Sequence, residues 1–83
     1  MKYIQTDNLT AIKYDDGMLK LQIFNKHRSP YGWSPRDLIC SLFAIPSKEF
    51  TFDYVKSQVD KVYSTFPNDE IHKLLNKIKT SGT

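Results

Sequence analysis

From Leu9 to Tyr14 and again from Met18 to Phe24, apolar and polar residues alternate with the two-residue period of a strand that shows one side to water. Between the two runs stands Asp16-Gly17, a pair suited to a tight type I′ turn in which both central residues take positive φ. The pattern predicts a β-hairpin. A two-residue loop at Asp16-Gly17 pairs Asp15 with Met18, Tyr14 with Leu19, Ile12 with Leu21 and Thr10 with Ile23, and these residues make one largely apolar face. A slip of one residue sets Tyr14 against Met18 and sends Leu19, Leu21 and Ile23 to the wrong side of the pleat, so the hydrophobic pattern selects the first register. The opposite face then carries Lys13 across from Lys20, Ala11 across from Gln22 and Leu9 across from Phe24.

Beyond the hairpin, Asn25 to Pro30 is a polar, basic connection, and Tyr31-Gly32-Trp33 reads as a short third strand or an extended edge segment. Pro30 argues against a central strand, because proline cannot donate to a ladder. Helix signals follow: Ser34 as N-cap, Pro35 at the first helical position and Asp37 in the first turn, then an apolar stripe of Leu38, Ile39, Leu42, Phe43 and Ile45. They predict a helix over 35–45, ended by Pro46. Ser47 or Thr51 caps a second helix in which Phe52, Val55, Val59, Val62 and Phe66 recur on one face, until Pro67 breaks it. Asn68-Asp69-Glu70 opens a third helix, with Ile71, Leu74, Leu75 and Ile78 as its stripe and Lys73, Lys77 and Lys79 near its C-terminal end. The expected fold is an α+β domain: a small antiparallel β-hairpin or three-stranded sheet, followed by three helices packed on one face, in the order β-β-(β)-α-α-α.

Composition bounds this picture. Eighty-three residues, 40% hydrophobic and 25% charged, suit a single domain spanning 1–83 and exclude disordered and coiled-coil classes. The longest apolar stretch, Leu38 to Ile45, is interrupted by Ser41 and falls short of the roughly 20 residues a membrane span requires. Asp7 precedes any apolar segment of the kind a secretory signal needs. Cys40 is the single cysteine, so an internal disulfide and a cysteine-rich zinc site are both excluded. The expectation is a cytoplasmic protein with no metal and no cofactor. Twelve Lys and Arg against nine Asp and Glu give a net charge of +3, compatible with an anionic partner but far from a histone-like excess.

Constellations for catalysis are scarce. His27 falls in a loop, His72 at the start of the last helix and Cys40 within a predicted helix, and no spacing joins them into a thiol-imidazole pair. Gly17, Gly32 and Gly82 are isolated, so no phosphate-cradling loop can be assembled. Asp15 and Asp16 serve the turn, and Cys40 among Leu38, Ile39, Leu42 and Phe43 reads as a small semi-buried hydrophobe. His27 beside Lys26 and Arg28 has its charged form disfavoured, a preference that a bound phosphate reverses; a solvated loop is the plainer alternative.

Two features point to binding. Lys13 facing Lys20 costs stability, although Asp15 lies one step diagonal from Lys20. Tyr31 and Trp33, two residues apart, share a side if the segment is extended, with Lys26, Arg28 and Arg36 nearby. Aromatic faces stack on unpaired bases while cations engage phosphates, the minimal chemistry of single-strand recognition. The competing reading places both rings at the rim of the core.

The run Asn8-Leu9-Thr10-Ala11-Ile12, then Tyr14-Asp15, Leu19-Lys20-Leu21 and Phe24, resembles the opening of the KTSC domain. That is a short module found at the C-terminus of some lysyl-tRNA synthetases and as a stand-alone bacterial or phage protein. Tyr31-Gly32-Trp33 matches the family's tyrosine-x-tyrosine, with Trp33 in place of the second tyrosine. Pro35, Leu38, Leu42, Ala44, Pro46-Ser47-Lys48 and Phe52 are similar to its helix and the serine-containing segment after it, with Glu49 in place of a common glycine. The resemblance covers 8–56 and leaves 57–80 as a C-terminal helical extension. The family's function is largely unassigned, and its company with a tRNA synthetase implies RNA binding.

The expected function is a small nonenzymatic module that binds single-stranded or structured RNA, with Tyr31 and Trp33 stacking on bases and Lys13, Lys20, Lys26, Arg28 and Arg36 contacting phosphates. The alternative is a protein-interaction module, such as a phage-encoded inhibitor or host-factor adaptor. In that case Ile71, Leu74 and Ile78 of the last helix either pack on the chain's own core or face a partner or second copy.

Overall fold

The structure is a computed structural model that describes residues 1–26 and 36–81, Ser81 by its backbone alone. Four strands run as an antiparallel meander in the order β1 (Lys2–Gln5), β2 (Leu9–Lys13), β3 (Met18–Lys26) and β4 (Arg36–Ser41), and a two-residue β5 (Ile45–Pro46) pairs with the beginning of β3. A short 3-10 turn at Ser47–Glu49 leads to α1 (Phe52–Val59) and α2 (Asn68–Ser81). The α+β class holds, but the expected hairpin or three-stranded sheet with three helices gives way to a larger sheet with two helices. The helix predicted over 35–45 is the main correction. Within that segment Arg36–Ser41 is strand β4, laid on the edge of β3 that β2 leaves open, and Ile45 begins β5. Its stripe is split: Leu42 and Ile45 pack against the core, while Leu38 and Ile39 are exposed and Phe43 is 92% exposed. A short apolar run fits helical and extended spacing alike, and here the long, nine-residue β3 supplies the ladder partners that decide between them.

The hairpin register is the second correction. Leu9 pairs with Ile23, Ala11 with Leu21, Ile12 with Lys20 and Lys13 with Leu19, one residue displaced from the register predicted by a two-residue turn. The loop is Asp15-Asp16-Gly17. The Gly17 amide donates to the Tyr14 carbonyl at 3.0 Å, the Tyr14 amide to the Met18 carbonyl at 2.9 Å, and the Met18 amide to Asp16 Oδ1 at 3.0 Å. Only Gly17, at φ +88°, takes positive φ among the described residues, so Asp16 is spared the left-handed conformation a type I′ turn imposes. The displacement reverses the faces of β2: Leu9 and Ala11 join Leu19, Leu21 and Ile23 in the core, while Thr10 and Ile12 turn to the other side. β1, which the alternation along the chain does not announce, fixes this choice by setting Ile4 opposite Ala11.

Both helices pack on the face formed by Ile4, Leu9, Ala11, Leu19, Leu21 and Ile23, contributing Val55, Val59, Ile71 and Leu74, while Phe50 and Phe66 close the layer. Of the two predicted caps, Ser47 and Thr51, it is Thr51 that caps α1, its Oγ1 accepting from the Tyr54 amide at 3.3 Å. That helix stops at Val59, and Val62 is left exposed. α2 begins at Asn68 and buries Ile71 and Leu74 fully, as the stripe foretells. Glu70 in its first turn ties the helix to the β1–β2 turn, accepting from Thr6 Oγ1 and the Asn8 amide at 2.7 Å each and from Asn8 Nδ2 at 3.1 Å.

Candidate nucleic-acid interface

The face of the sheet turned away from the helices is built by strand alternation alone. Residues that pair across strands share a face, so this side is ordered in rows. Tyr3, Ile12 and Lys20 form the first, Gln5, Thr10, Gln22 and Ser41 the second, Phe24 and Leu38 the third, and Lys26 and Arg36 the last. Successive rows along one strand are about 7 Å apart. A register shift between Ile23 and Phe24 leaves Ile39 as an extra residue in β4 and keeps Arg36 and Leu38 on this side.

Arg36 crosses three of these rows. Its Cζ lies 4.1 Å from the centroid of the Phe24 ring, and its Nη2 donates to Thr10 Oγ1 at 3.1 Å. Thr10 is only 2% exposed although no helix among the described residues packs on this side, and Arg36 supplies its hydroxyl with a hydrogen-bond partner. The Nε of Arg36 is buried with no hydrogen-bond partner among the described residues. An unpaired buried N–H costs on the order of 1–3 kcal/mol, which the ring contact and the Thr10 bond of the same side chain must offset. Tyr3 stands at the opposite corner, 57% exposed. Gln22 Nε2 and Ser41 Oγ lie 3.4 Å apart in the row between.

The predicted contacts are divided by this geometry. Lys20, Lys26 and Arg36 lie on the helix-free face, and Lys26 is the ladder partner of Arg36. Lys13 does not join them. The true register sets it across from Leu19 and Lys2 on the opposite side, so the predicted Lys13–Lys20 pair does not exist. Tyr31, Trp33 and Arg28 lie outside the described residues, as does His27. Ile71 and Leu74 are fully buried in the chain's own core, and Ile78 is partly buried and packed against it. Three residues of the helix-free face, Tyr3, Thr10 and Phe24, are not among the site residues that the sequence suggests. Tyr3 is invisible without β1, and the predicted register puts Thr10 on the core face. Phe24 carries the only legible signal, an aromatic residue in phase with Lys20 and Lys26 on one strand.

The remaining groups are structural. Cys40 is partly buried against the core. His72 is stacked on Phe52, ring centroids 4.6 Å apart, at the rim of a groove of about 380 Å³ that also involves Leu19, Phe50 and Leu75. The Tyr63 hydroxyl donates to the Phe24 carbonyl and fastens the helical layer to β3. Burial, with a smaller contribution from the Glu70 carboxylate, raises the Tyr63 pKa, and burial followed by the neighbouring Cys40 raises that of Tyr54. Among the described residues no three His, Cys, Asp or Glu side chains gather as metal ligands, and no helix is long and apolar enough to cross a membrane.

No family model, no curated protein and no solved structure matches the chain.

Proposed function

We propose that this chain is a small nonenzymatic module that binds RNA on the helix-free face of its sheet. The observation that carries the reading is the grouping of Lys20, Lys26 and Arg36 with Phe24 and Tyr3 on one side of the strands. Cationic groups attract the anionic strand, planar groups accept bases, and the amides and hydroxyls of Gln5, Gln22 and Ser41 between them suit base edges. The net charge of +3 and the resemblance to the KTSC domain agree with this reading. Titration of a labelled single-stranded RNA at two salt concentrations tests it. The affinity is expected to fall with salt, and to fall further when Tyr3→Ala is combined with Lys20→Ala. Binding that ignores salt, or that survives both substitutions, rejects it.

A second reading, a protein-interaction module, rests on Leu38, Ile39 and Phe43, large apolar side chains exposed on the edge strand and just after it. Capture of a protein partner that persists after nuclease treatment and is lost in Phe43→Ser favours this reading over the first.

A further inference from the structure

We propose, on the footing of the RNA reading, that Arg36 engages a base and not a phosphate, so that the ligand is a strand with unpaired bases. One of the two forks by which an arginine clamps phosphate is the side-on pair, Nε with the adjacent Nη2. In this chain that fork is turned into the sheet: Nε is buried and Nη2 is bonded to Thr10. The Phe24 ring backs the guanidinium, with Cζ 4.1 Å from its centroid. An anchored guanidinium seated on an aromatic ring is a platform of the kind on which an unstacked base is laid. Phosphate neutralisation then falls to Lys20 and Lys26, whose ammonium groups end flexible side chains on the same face. Arg36 is thereby assigned recognition of the base, and the two lysines recognition of the backbone.

The division of labour is measurable with two labelled ten-nucleotide strands, an oligouridine and an abasic ribose-phosphate of equal charge, each titrated at several salt concentrations. The intact protein is expected to bind oligouridine roughly tenfold more tightly than the abasic strand, in the range of one stacked base. Arg36→Lys, which keeps the charge and removes the planar fork, is expected to abolish most of that preference. It should leave the affinity for the abasic strand and the salt slope unchanged. Lys20→Ala should weaken both strands by the same factor and reduce the slope by about 0.7. Thermal unfolding of each variant verifies that it is folded, and the preference of the unmodified protein does not depend on any variant. Salt-dependent binding with equal affinity for the two strands overturns the assignment to Arg36 and leaves the RNA reading intact. A preference that persists in Arg36→Lys does the same, as does a loss shared equally by both strands. Absence of binding to either strand overturns both.

Discussion

The two faces of the sheet are made from the same strands and differ in what holds them. On the helical side Leu9, Ala11, Leu21 and Ile23 have no exposed surface, and every neighbour in the cluster is apolar. On the other side a threonine, two glutamines, two lysines and an arginine alternate with Tyr3, Ile12 and Phe24, and Thr10 is buried through a hydrogen bond to a cation. The helical side follows the rule of burying apolar area, worth roughly 25 cal/mol per Å². The open side buries Ile12 as well, but it departs from the rule at the orphaned Nε of Arg36, a cost that the Phe24 ring and the Thr10 bond offset in part. Folding stability explains the first face and all but the unpaired Nε among the contacts of the second. Chemistry that costs stability without returning packing is where binding is sought.

The contrast is testable from its largest expected effect downward. Leu21→Ala removes a fully buried side chain beneath the helices and is expected to cost about 2–5 kcal/mol. Its neighbour Gln22→Ala, one residue along on the open side, should stay within about 0.5 kcal/mol. Urea unfolding of the two variants checks both numbers, and equal losses would erase the distinction between the faces. Glu70→Ala removes the acceptor shared by Thr6 and Asn8 and is expected to cost about 2 kcal/mol, with faster hydrogen exchange at the Asn8 amide. Loss of stability without that local change would place the effect of Glu70 elsewhere.

Tyr63→Phe deletes the bond to the Phe24 carbonyl and is expected to cost about 1 kcal/mol at neutral pH. The Tyr63 pKa lies above the ordinary value of 10.0 in the folded chain, so the folded state favours the neutral phenol. Stability is therefore whole below pH 10 and declines as pH rises past the ionisation of the unfolded chain's phenol toward that of the folded one. Tyr54 acts in the same direction. A series of urea midpoints from about pH 8 upward should fall less steeply in Tyr63→Phe; an unchanged slope rejects the role assigned to this hydroxyl.

Much of the helical layer is legible along the chain. Pro67 and the stripe Ile71, Leu74, Leu75 and Ile78 locate α2, and the α1 cap is narrowed to Ser47 or Thr51, because these signals act within a few residues of one another. The alternation Leu19, Leu21 and Ile23 likewise announces the buried side of β3. β2 gives no such signal. Its apolar residues occur on both sides, and four of its five residues are buried, so pattern alone cannot say which set faces the helices. Arg36 reads from the sequence as a phosphate contact, but its place over Phe24 depends on a strand pairing that joins two residues separated by a connection.

What the residues determined by themselves was therefore local: the turn around Gly17, the alternation of β3, the α1 cap and the amphipathic α2, each enforced by neighbours in the chain. Tertiary structure alone decided the one-residue register of the hairpin, the conversion of 36–41 from an expected helix into a strand, and the meeting of Arg36 with Thr10 and Phe24. The reason is physical. A short apolar run has nearly the same free energy in several conformations, and the balance is tipped by partners far along the chain: β1 for β2, and the open edge of β3 for β4.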